Sequence, residues 1–158
     1  MGICSTKTTI FDIDIHSIEK QSYNNQFHYC RIDNVYDGDT ADIYFRDGNK
    51  VVRNRFRFYG YDSAEMKPPK KIENREEIKN QAILDKQHLS SLVSNSKLIV
   101  EFQNNEKYGR MMGKVWRVNN INHPERDLKN HPELIEGNYI TFLMIQSGHG
   151  KPYFGGLR

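Results

Sequence analysis

The sequence predicts an α+β fold built on a small five-stranded β-barrel. Three observations predict it: a run of three short strands broken by tight-turn residues, one long amphipathic helix after them, and two further strands behind that helix. The chain has 158 residues, 37% of them hydrophobic, a size at which one core is expected. Residues 1–28 are read as a flexible N-terminal segment and residues 29–158 as one domain.

Each element follows from local chemistry. Tyr29 to Tyr36 alternates as a strand, and Asp37-Gly38-Asp39 interrupts it with residues that favour a tight turn or bulge. Thr40 to Phe45 forms a second strand, Asp47-Gly48 is a hairpin signal, and Val51 to Tyr59 is a third strand. Met66 to Lys71, with Pro68-Pro69 and three lysines, predicts an exposed loop.

Between about Arg75 and Val93, the apolar positions Ile78, Ala82, Ile83, Leu89 and Leu92 or Val93 recur at helical spacing, with Glu, Lys, Gln and Asp in much of the remainder. Asn95 is expected to end that helix. Leu98 to Phe102 and Met111 to Val118 complete the strands. The polar stretch Asn119 to Gly137, with His123-Pro124 and His131-Pro132, predicts a long connection. Thr141 is expected to cap a short C-terminal helix that stops at Gly148. A helix between the third and fourth of five strands is the element order of an OB-fold, the oligonucleotide-binding barrel.

Composition bounds the function loosely. A formal net charge of +3 with 27% charged residues supports contact with phosphates without requiring it. Nine Tyr and eight Phe beside one Trp suit a β core, and those left at the surface suit stacking on bases. Cys4 and Cys30 form no C-x-x-C pair, so a reducing compartment fits, with neither a disulfide framework nor a thiolate metal site. No apolar stretch approaches the roughly eighteen residues of a membrane span, and the start lacks the apolar run of a signal peptide.

The N-terminus, Met1-Gly2-Ile3-Cys4-Ser5-Thr6-Lys7, matches a myristoylation pattern on Gly2, with Cys4 as a site for a second acyl chain. A single myristoyl group anchors only marginally, so the second chain matters. The expectation is the cytoplasmic face of a membrane where the producing cell acylates Gly2, and the cytoplasm otherwise.

The chemistry concentrates in three places. Asp37-Gly38-Asp39 sets two carboxylates across a glycine, an oxygen-donor arrangement that suits hard cations and also occurs in ordinary turns. Arg57 stands within the apolar run Phe56, Phe58 and Tyr59. Its guanidinium calls for an anion there, either a phosphate or a nearby carboxylate. Asp62-Ser63-Ala64-Glu65 follows at once. Arg110 comes in Glu106-Lys107-Tyr108-Gly109-Arg110, before the fifth strand. A cation and two arginines answer the charge that builds on a phosphodiester under attack, and a carboxylate can serve as general base. The six histidines show no zinc-like spacing: His16, His28 and His88 read as surface or satisfied residues, and those beside prolines as loop residues.

Three blocks together resemble the staphylococcal-nuclease (thermonuclease) family: Val35 to Thr40, Arg57 to Glu65, and Lys107 to Arg110, over roughly Tyr29 to Phe154. The resemblance implies a calcium-dependent endonuclease that hydrolyses DNA and RNA with little sequence preference, by in-line water attack, leaving 3′-phosphate ends. It implies Asp39, Asp62 and Ser63 as calcium ligands, Ser63 through its backbone carbonyl. Arg57, Glu65 and Arg110 become the catalytic residues, Asp37 a carboxylate near the metal, and Lys107, Tyr108 and Tyr153 the substrate contacts. Ser63 and Ala64 replace the family's usual threonine and proline, which implies a looser loop under Glu65. A monomer is the expected state. Two other readings stay open: a noncatalytic nucleic-acid-binding barrel, and a membrane-recruited interaction adaptor.

Overall fold

The computed structural model describes residues 9–18, 21–104 and 109–155. Its centre is a closed barrel of five strands: β1 (Phe27–Asp37), β2 (Thr40–Asp47), β3 (Lys50–Phe58), β5 (Leu98–Gln103) and β6 (Met111–Arg117), in the spatial order β1-β2-β3-β6-β5. β1 pairs antiparallel with both β2 and β5, and β3 closes the ring through a short parallel pairing with β6. Closure removes the open edges that would otherwise invite aggregation. The helix α1 (Arg75–Val93) lies between the barrel's third and fourth strands in sequence, and α2 (Ile140–Gln146) follows the barrel. This is the predicted OB-fold.

Alternation places the core. On β2, Ala41, Ile43 and Phe45 point inward, and Phe56 and Phe58 on β3 and Phe102 on β5 join them. Tyr23, upstream of β1, lays its ring edge-on to Phe45 at 5.0 Å, so the core gathers one ring from ahead of the first strand. Gly48, at a φ of 58°, makes the tight turn between β2 and β3.

Several details differ from expectation. The strand β4 (Gly60–Asp62) pairs with β7 (Lys151–Tyr153) as a separate two-stranded sheet, and three residues are too few to show a period in sequence. The long connection after β6 holds two 3-10 turns, Glu125–Asn130 and Glu136–Asn138. There His131 lies in the loop as expected, and it is buried at 3% exposure with its Nε2 2.8 Å from the Asn120 carbonyl. Thr141 does not cap α2: Tyr139 is the N-cap, and the Thr141 hydroxyl donates to the Tyr59 carbonyl instead. α1 ends at Val93, and Asn95 follows in left-handed backbone, φ 57°. Its buried face is Ala82, Asp85, Leu89 and Val93, while Ile83 is exposed. No helix among the described residues is long and apolar enough to cross a membrane.

Candidate nucleic-acid interface

At one end of the barrel the turn after β1, the end of β3, the segment following β4 and the start of β6 meet. They enclose a cleft of about 660 Å³ lined by Tyr36, Asp37, Asp39, Arg57, Asp62, Ser63, Ala64, Glu65, Met66, Lys67 and Arg110. Seven of the residues singled out in the sequence line it. Tyr153 is not among the lining residues: it sits on β7 opposite Gly60. Gly2, Cys4, Lys107 and Tyr108 lie outside the described residues.

Arg57 is the centre of the arrangement. It projects from the outer face of β3 but is only 5% exposed, with Tyr61 and Asp62 of β4 against it. Its guanidinium forms ion pairs with Asp39 and Asp62 and donates to the Tyr61 carbonyl at 3.1 Å. Burial works against its charge, but the two carboxylates outweigh burial and push its pKa further up.

Asp39 is 5% exposed and heavily held. The Ser63 backbone N–H donates to it at 2.9 Å, the Ser63 hydroxyl at 3.1 Å and the Thr40 hydroxyl at 3.0 Å. Burial raises the Asp39 carboxyl, yet the Arg57 charge and these donors together keep it below the ordinary carboxylate value. Asp37, across Gly38, goes the other way: burial and the neighbouring Asp39 charge raise it to about 6. The Asp39 backbone N–H donates to Asp37 at 3.1 Å, which fixes the turn.

The loop carrying Glu65 is pinned from behind. The Ala64 backbone N–H donates at 3.0 Å to Asp85 on α1, a carboxylate 2% exposed that also accepts from Gln81 Nε2 at 2.7 Å and faces His149 Nδ1 at 2.9 Å. The His149 ring stacks on His88 with centroids 4.4 Å apart. Gly38 lies where turn, loop and helix touch: a Cβ there would come within 2.6 Å of Ser63 Cβ and 2.7 Å of Asp85 Cβ. Asp85 and His149 were not singled out from sequence. Asp85 falls at helical spacing from Ala82 and Leu89, a signal that it faces inward.

The donors suit a hard cation in kind, since the described lining includes the carboxylates of Asp37, Asp39, Asp62 and Glu65 and, among the described residues, neither cysteine nor histidine. Asp39 and Asp62 flank one guanidinium, the first at Nη1 and the second at Nη2 of Arg57. Among the described residues, however, no three His, Cys, Asp or Glu side chains gather as a metal cage. What the geometry provides is an OB barrel with an arginine-bearing cleft at its rim, a fold capable of nucleic-acid binding. No family model matches this chain, and no curated protein matches it.

Proposed function

We propose that this barrel binds DNA and RNA in the cleft around Arg57 and hydrolyses their phosphodiester bonds with calcium, as its three sequence blocks resembling the staphylococcal-nuclease family imply. The observation that supports this is convergence. Asp37, Asp39, Arg57, Asp62, Glu65 and Arg110 come from separate stretches of chain and line one cleft. Binding alone needs positive charge and stacking, and has no use for four carboxylates beside the arginines.

In this reading Arg57 and Arg110 hold the phosphoryl oxygens and stabilise the charge that grows on them. Glu65 takes a proton from the attacking water, and Asp37 stands beside the ligand carboxylates. Asp39, Asp62 and the Ser63 carbonyl would hold calcium, which supplies charge neutralisation at the phosphate.

The noncatalytic reading has a specific observation in its favour. The described residues hold no three-ligand cluster, and the two candidate ligand carboxylates are already engaged by Arg57. One experiment separates the two. Purified protein is incubated with denatured DNA and RNA in calcium, magnesium or manganese, beside Glu65→Gln, while strand binding is followed separately. Hydrolysis predicts calcium-dependent cleavage that falls about 10²–10⁴-fold in Glu65→Gln with binding kept. Binding without turnover in any of the three ions establishes the noncatalytic barrel.

The N-terminal pattern adds a proposed peripheral attachment through acyl groups on Gly2 and Cys4. Mass spectrometry of protein from a eukaryotic cell should find an acylated Gly2 that Gly2→Ala abolishes. An unmodified Gly2 removes the anchor and the adaptor reading with it. A monomer in solution is expected, as sizing would show.

A further inference from the structure

The cleft is one end of a longer surface. Register on β2 and β3 sets Arg57 opposite Thr40, Arg55 opposite Asp42 and Arg53 opposite Tyr44. All six side chains share the outer face, because their alternates Ala41, Ile43 and Phe56 are core residues. Arg53, Arg55 and Arg57 therefore form a row in which each guanidinium is two residues, roughly 6.6 Å of strand, from the next. That step is on the scale of one nucleotide in an extended strand.

The two outer arginines are built in. Asp42, only 4% exposed, accepts from Arg53 Nε at 3.1 Å and Nη2 at 2.7 Å, and its other oxygen lies 3.7 Å from Arg55 Nε. Asn34 Nδ2 donates to the same carboxylate at 3.3 Å. One buried acid thus orients two guanidinium groups whose side chains are 60% and 45% exposed. Both also lie near aromatic planes: the Arg55 guanidinium carbon is 3.3 Å from the Tyr36 ring centroid and that of Arg53 is 5.7 Å from Tyr44. Tyr36 lines the cleft as well, so the row and the cleft are one continuous surface. Beside the two outer arginines the opposing charges are Asp42 and the exposed Asp33, with the cleft carboxylates Asp39 and Asp62 on Arg57, while Arg31, opposite Tyr44 on β1, adds another cation.

We infer that the row of Arg53 and Arg55 with Tyr44 and Tyr36 is the path by which a single-stranded nucleic acid continues out of the cleft. This rests on the nucleic-acid reading of the cleft and adds to it the strand form and length that are favoured. Each outer guanidinium takes one phosphate, because Asp42 uses only part of its five-donor fork. Tyrosine and guanidinium planes stack on unpaired bases, which a duplex keeps inside its helix. A trinucleotide fills the cleft alone, whereas a strand of about twelve nucleotides also engages the row.

The test uses nuclease-resistant phosphorothioate strands and fluorescence anisotropy over a range of salt. The wild type is compared with a triple variant, Arg53→Gln, Arg55→Gln and Asp42→Asn, in which no buried acid is left without its partners. The variant should bind the long strand at least about tenfold more weakly and lose about 1.4 from the salt slope, two phosphate contacts at about 0.7 each. Its affinity for the trinucleotide should be unchanged. Tyr44→Ala offers an independent signature: weaker long-strand binding with the salt slope intact, since stacking releases no counterions. Equal long-strand affinity and slope in both variants would overturn the path and leave the cleft reading standing. An equal loss on a duplex, or on the trinucleotide, would also overturn it, the first as a general polyanion surface and the second as damage to the cleft. A wild type that binds neither strand ends the path and the nucleic-acid reading together.

Discussion

Arg57 and Arg53 stand on the same face of the same strand, each paired with an aspartate, and they differ almost entirely in what covers them. The Arg57 and Asp39 side chains are 6% and 7% exposed, whereas Arg53 is 60% exposed over an Asp42 that is 5% exposed. β4 and the residue after it make the difference: Tyr61, Asp62 and Ser63 bind the first pair, whereas the partners of Asp42 are Arg53, Arg55 and Asn34. Under the loop, two desolvated charges depend on each other, and losing one strands the other. In the open, water and the neighbouring Arg55 are at hand, and the ion pair contributes little to stability. One pattern of residues thus yields a covered ion pair in the cleft wall at one end and an accessible cationic surface at the other.

Removing the guanidinium at each end breaks this comparison most directly. Arg57→Ala should destabilise the fold by about 3–5 kcal/mol, measured by urea unfolding, because Asp39 is left charged and buried without its cation. Arg53→Ala should cost less than about 1 kcal/mol. Equal losses at the two sites would mean that the covering loop does not isolate the first pair.

A second break tests the loop itself. Gly38→Ala should cost about 1–3 kcal/mol, because the new methyl group meets Ser63 and Asp85 carbons that the turn and helix hold in place. Asp85→Asn should cost less, about 1–2 kcal/mol. Its side chain keeps an acceptor for the Ala64 N–H but gives up charge-assisted partners. If cleavage is present, both changes should lower it as well, since both loosen the loop under Glu65. Unaltered unfolding in Gly38→Ala would show that the three elements are not packed as tightly as their separations indicate.

The covered end of this system was the more legible in the sequence, since Asp39, Arg57 and Asp62 stood out there, whereas Arg53, Arg55 and Asp42 at the open end did not. Strand alternation, the Asp47-Gly48 turn and the apolar spacing of α1 were sufficient for the barrel and its helix, because each depends on neighbours a few residues away. Asp39, Arg57, Asp62 and Glu65 could be singled out because they are polar residues at fixed positions beside apolar strands. Their alternatives were named too: the salt bridge weighed for Arg57 is present, to Asp39 and Asp62. What escaped was whatever depends on distant partners. Asp85 drew no separate reading among the polar positions of the helix, and its partners Ala64 and His149 are 21 and 64 residues away. Thr141 has the chemistry of a cap, but the Tyr59 carbonyl 82 residues back takes its hydroxyl. The β4 and β7 pairing belongs to the same class, since three-residue strands carry no period of their own.

The smallest expected effect sharpens the comparison through pH. Burial raises the Asp42 carboxyl, but the Arg53 and Asn34 donors and the charges of Arg53 and Arg55 outweigh it, so its folded pKa lies below the ordinary 3.8. A depressed carboxyl binds protons less readily in the folded chain than in the unfolded one. Its stabilising contribution is therefore complete above about pH 3.8 and disappears as the pH falls through the lower folded value. Because Arg53 is mostly exposed and screened, that contribution should be less than about 1 kcal/mol at pH 7. The measurement is the gap in urea midpoint between the wild type and Asp42→Asn, small at pH 7 and smaller still near pH 3. A gap that widened on acidification would mean that Asp42 is protonated more readily when folded, and that burial rather than Arg53 and Arg55 governs it.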